Sequence, residues 1–112
     1  MVYEVTSRFP SAERFGLTSQ LRRASIGVVS QIAEGQGRLT YGEWRQFLSQ
    51  ARGSLFEVEA ELLASERLGF LPSEEMKAAR QLIQRAAAAL GGLIRWVKAR
   101  QPGNSATRQP VT

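Results

Sequence analysis

From Gly16 to Arg38 the chain reads GLTSQLRRASIGVVSQIAEGQGR, and at about 100° per residue its apolar positions fall into two stripes rather than one. Leu17, Leu21, Ala24, Val28 and Ile32 form the first stripe; Ile26, Val29 and Ala33 form a second, roughly opposite. A helix that is apolar on two sides needs cover on two sides. The rest of a small bundle supplies one, and a second copy of the same chain is the simplest source of the other. Ile26, Val29 and Ala33 are therefore candidate interface residues.

The same periodicity marks the other elements. MVYEVTSR reads as one short helical piece stopped by Phe9-Pro10, because the residue before a proline is pushed out of the helical region. It packs as a stub or is the end of a helix whose upstream half precedes Met1. The central helix opens at Gly16 or Thr18 and ends near Gly35 and Gly37. Thr40-Tyr-Gly-Glu43 is a capping box, in which hydroxyl and carboxylate satisfy each other's orphan N–H groups. A long helix is predicted from there to about Leu68, closed by Gly69.

That helix carries a core stripe of Trp44, Phe47, Leu48, Ala51, Leu55, Val58 and Leu62, with a side patch of Phe56, Ala60 and Leu63. Phe56 and Leu63 join the candidate interface. Arg52, Glu59 and Glu66 recur every seven residues between the two apolar surfaces. They predict either a solvated stripe or a partly buried ion-pair network linking Arg52 and Glu59 to Arg22, Arg23 and Glu34 of the central helix; such networks fix register more than they add stability.

After Phe70-Leu71-Pro72, Ser73-Glu74-Glu75 starts the last helix with a hydroxyl and carboxylates at its positive end. Met76, Ala79, Leu82, Ile83, Ala86, Leu90, Leu93, Ile94 and Val97 cover one arc, and Lys77, Arg80, Gln84, Arg95 and Lys98 the far side. Gly91-Gly92 weakens this helix by roughly 1 kcal/mol per residue against alanine, which points to close approach of another backbone. Three substantial helices and a stub on short loops predict an all-α, antiparallel up-down four-helix bundle with a shortened first helix. One bundle domain spans residues 1–100, and the polar stretch 101–112 is predicted to be a disordered tail.

Composition narrows the chemistry. The chain has 112 residues, 43% of them hydrophobic, enough for one globular domain with a modest core. Cysteine, histidine and aspartate are absent, which excludes disulfides, Cys/His zinc sites, a Ser-His-Asp triad and Glu-x-x-His di-iron ligation. Glu57, Glu59 and Glu61, the only clustered carboxylates, are read as alternating around their helix rather than converging. No run is long enough to span a membrane and no signal peptide is visible, so a soluble cytoplasmic protein is expected, without cofactor, metal or small-molecule substrate. The net charge of +5 is unevenly spread: +3 over residues 1–56, −5 over 57–75 and +7 over 76–112. Lys77, Arg80, Arg95 and Lys98 are the candidate nucleic-acid contacts within the basic end.

Several segments also read together: Phe9-Pro10, Glu13 through Ala24, Ile32-Ala33-Glu34-Gly35 with Gly37-Arg38, Phe47-Leu48, Ala51-Arg52-Gly53-Ser54-Leu55, Glu57-Val58-Glu59 and Leu68-Gly69. Over about residues 3 to 98 this resembles the 23S rRNA intervening-sequence protein family of four-helix-bundle proteins, and more distantly the accessory variability determinant proteins of diversity-generating retroelements. It departs from that family in its short segment before Phe9-Pro10 and in having Gln31 where asparagine is common. The resemblance implies an up-down bundle assembled into a ring, typically a homopentamer, without established activity; the retroelement relatives bind nucleic acid through a basic surface. The expected function is accordingly a non-enzymatic oligomeric scaffold or interaction module. The alternative is RNA or DNA binding through a basic surface of the ring.

Overall fold

The computed structural model describes residues 1–101. They form four α-helices and no strand: α1 (Val2–Thr6), α2 (Leu17–Gln36), α3 (Tyr41–Arg67) and α4 (Ser73–Ala99), with a 3₁₀ turn at Ser11–Glu13. The tail expected from Gln101 lies, beyond that residue, outside the described residues.

The helix ends follow from their residues. Thr40 Oγ1 accepts the Glu43 N–H at 3.1 Å and so starts α3, the hydroxyl half of the capping box. Gly69, at φ +84°, ends α3. Its N–H bonds the Glu66 carbonyl at 3.0 Å while the Phe70 N–H bonds that of Ser65 at 2.9 Å, a Schellman closure that requires the left-handed residue glycine permits. Ser73 does not cap α4; Pro72 precedes it without a side-chain cap, while Glu74 and Glu75 occupy the first turn. Gly35 does not end α2 but lies inside it, and Gly37 closes the helix in a right-handed conformation.

α3 is central, with α2 and α4 antiparallel along its two flanks. Gly35 opposes Trp44 and Phe47, and a Cβ there would meet them at 3.0 and 3.1 Å. Further along, Ser54 donates to Gln31 Oε1 at 2.9 Å, which gives the unusual glutamine a packing role. On the other flank Trp44 meets Trp96 edge-on at 6.0 Å between centroids. The core is the predicted α3 stripe, with Phe47 only half-buried, closed by Leu21 and Ala24 on one side and Met76, Ala79, Ile83, Ala87, Leu90 and Val97 on the other.

α1 packs on α2 at the lower end, next to the start of α4. Thr6 Oγ1 donates to the Val2 carbonyl at 2.8 Å and accepts from Arg22 Nε at 2.9 Å. Phe9 is buried against Phe70, with ring centroids 5.8 Å apart. Arg8 forms a two-pronged ion pair with Glu75, whose hydrogen bond holds the Glu75 carboxyl below the usual carboxylate range. Five residues make little more than one turn. Among the described residues α2 and α4 do not meet above α1: their Cα atoms nowhere come within 8 Å of each other.

Candidate functional site: an apolar cleft and a cationic face

The gap above α1 is an apolar cleft of about 200 Å³, lined by Met1, Val2, Ser25, Val28, Val29, Leu55, Val58 and Ile83. Its walls continue as exposed apolar surface. On α2, Val29 and Ile26 are 69% and 53% exposed and Ala33 is exposed beside them; on α4, Leu82 is 47% exposed and Ala86 is open, so the arc expected to be core is buried only along its centre. The two other candidate interface residues lie elsewhere. Phe56 lines a cleft between α3 and α4 with Ser49, Arg52, Gly53 and Ile94, and Leu63 packs half-buried against the core.

The charged seam of α3 corrects the expected network. Arg52 and Glu59 face the α4 side rather than α2, because α2 packs on the flank that carries Ser54 and Gly35's partners Trp44 and Phe47. Partners from α2 are therefore out of reach. Glu59 pairs with Arg80 at 3.8 Å. Arg52 is exposed, makes no ion pair and lies over the Phe56 ring, 5.3 Å from its centroid. Arg22 is taken by Thr6 and the Tyr3 ring, 4.6 Å away, and Glu34 meets only Arg38, at 3.9 Å on the surface.

Arg23 is exposed and lines a polar cleft with Gln20, Ser54, Glu57 and Glu61. Glu57 and Glu61, four residues apart, thus share one side of α3 while Glu59 points the other way, so the three carboxylates alternate around the helix and do not converge. Glu61 Oε2 is buried without a hydrogen-bond partner. Burial first, and the Glu57 charge second, push the Glu61 carboxyl up.

The basic face divides in two. At its lower end Arg80 is neutralised by Glu59, with Lys77 exposed one turn before it. At its upper end Arg95 and Lys98 are exposed and have no ion pair, and α3 adds two arginines there. Arg52 and Arg45, seven residues apart on one side of α3, were not among the residues expected on this face; the signal was the seven-residue period of Arg45, Arg52, Glu59 and Glu66, positive at one end and negative at the other. The glycine pair also has a different cause from the one expected. At Gly91 the neighbour is not backbone but guanidinium: a Cβ would stand 3.8 Å from Arg52 Cζ and 3.5 Å from Arg95 Nη1.

Among the described residues no group of three or more Cys, His, Asp or Glu side chains is placed to hold a metal, and no helix is long and apolar enough to cross a membrane. Two surfaces stand out in the arrangement, one apolar and one cationic. In comparison with known families, the model described as 23S rRNA-intervening sequence protein matches residues 1–92. No curated protein matches the chain.

Proposed function

The chain belongs to the 23S rRNA-intervening sequence protein family, and from that premise we propose that it is a self-associating, non-enzymatic helical scaffold of the cytoplasm. The observation that carries this reading is the exposed stripe of Ile26, Val29 and Ala33, of which Val29 also lines the open cleft. Isolated exposed apolar residues are ordinary, but a contiguous stripe beside an unfilled apolar cleft is the mark of an interface. A ring-shaped homo-oligomer, with the homopentamer implied by the resemblance, buries it. Light scattering on the parent and on Val29→Glu tests this: an oligomer that falls toward monomer in the variant supports the reading, and a monomeric parent at micromolar concentration rejects it.

A second reading has its own observation. The upper part of the α3–α4 face holds Arg45, Arg52, Arg95 and Lys98 with no acid among the described residues paired to any of them, and repetition in an oligomer multiplies that field. It suits the phosphate backbone of RNA or DNA. Filter binding across a salt series tests it, since phosphate contacts require affinity to fall steeply as salt rises.

A further inference from the structure

Arg52 and Arg95 come from different helices and reach the same point. Both guanidiniums lie within 4 Å of where a Cβ on Gly91 would stand, and Arg95 Nη2 is 3.8 Å from the corresponding position on Gly92. The two glycines leave α4 bare where the cations meet. Like charges that converge without a counter-ion repel each other, yet among the described residues no carboxylate lies within 4.0 Å of either. Glu59, the acid of the same seam, is already held by Arg80.

Two further observations point to an anion here. The Arg45 Nε is buried and has no hydrogen-bond partner, so a donor on the same side of α3 also lacks its acceptor. Arg45 and Ser49 line one cleft, with Glu43 at its α3 N-terminal end, and Ser49, Arg52 and Phe56 line the next, of about 280 Å³ and without an acid in its lining; Ser49 joins the two into one track.

We propose that Arg52 and Arg95 form a phosphate clamp over Gly91, with Arg45 as the neighbouring contact along the track. Each guanidinium offers a planar fork that matches phosphate oxygens two at a time, and the Phe56 ring braces the Arg52 fork. A phosphodiester of a nucleic-acid strand and a free phosphate present the same oxygens. The clamp rests on the second reading above and gives it a site.

The test measures binding of the full-length chain to a mixed-sequence single-stranded RNA oligonucleotide across a salt series. Parent, Arg52→Ala, Arg95→Ala, the double variant and Arg67→Ala are compared, with melting in inorganic phosphate as a second arm. Arg52→Ala and Arg95→Ala are each expected to flatten the slope of log affinity against log salt by about 0.7, the single-strand value for one phosphate. Because both arginines grip one phosphate, the double variant should lose little more than either single, whereas independent charges would add; Arg67→Ala, exposed at the opposite end of α3, should hold the parental slope.

If the parent binds RNA and the Arg52 and Arg95 variants lose no more than Arg67→Ala does, the clamp is wrong while the nucleic-acid reading survives. If the parent ignores RNA but inorganic phosphate raises its melting temperature and not that of Arg52→Ala, the clamp stands with free phosphate as its ligand. Failure of both ligands overturns both. Loss of the oligomer in Arg52→Ala, with binding intact, assigns the arginines to a protein contact and overturns the clamp.

Discussion

Gly35 of α2 lies so close to Trp44 of α3 that a Cβ would stand 3.0 Å from the indole Cδ1, with the Phe47 Cβ at 3.1 Å on its other side. Alanine there would gain roughly 1 kcal/mol of helix propensity but must displace an indole packed against Trp96. Overpacking typically costs about 1–3 kcal/mol. We predict that Gly35→Ala is destabilising on balance, lowering the melting temperature by several degrees; an unchanged or higher melting temperature would mean that the α2–α3 contact yields freely.

Gly69 gives the opposite kind of glycine effect. Nothing crowds its Cβ position, but its φ of +84° lies where L side chains are strained. Gly69→Ala should cost on the order of 1 kcal/mol through the α3 C-terminus alone. Chemical denaturation is the measurement, and a loss well below that would show the Schellman closure to be dispensable.

The Glu61 carboxyl has a raised pKa, so its contribution is fully present below the ordinary glutamate value and is lost as pH rises through the folded-state value. Above that folded-state value the buried oxygen carries charge beside Glu57. Glu61→Gln should therefore melt higher than the parent at pH 7, and the gap should narrow toward pH 4. A gap that is constant across that range would separate the effect from ionisation.

Arg52→Ala distinguishes the observed seam from the expected one. A buried network would lose roughly 3–5 kcal/mol with this change; the exposed side chain seen here has one ring contact, worth about 0.5–1 kcal/mol at such a site. Thermal unfolding should therefore register only a small shift. A loss of several kcal/mol would return Arg52 to a desolvated network.

The contrast shows which features the sequence reveals. Helix positions, the Thr40 cap, the Gly69 stop and the α3 core stripe are local: each depends on spacing along one helix, and spacing is visible. The seam's partners depend on which flank of α3 each neighbour covers. Arg52 and Glu59 lie at the margin of the core stripe, where helical period alone assigns them equally well to α2 or α4. Gly91 is a similar case. Its demand for space was legible, but that a guanidinium from α3 fills the space follows only from the antiparallel register, which sets residue 52 opposite 91.

Among the described residues each α-helix backbone approaches only the helices next to it in sequence: α1 lies on α2, α2 on α3 and α3 on α4. Such a strip is nearly one-dimensional, and its stability is close to a sum of adjacent pairs. Contacts that close over short loops favour rapid folding, but a strip can also peel from its ends, and α4 can lift away while the α2–α3 hairpin persists. Whatever fills the cleft above Met1 touches α2 and α4 together and joins the strip's two edges. Amide hydrogen exchange along α4 should then slow once that cleft is covered, even at residues the occupant never touches.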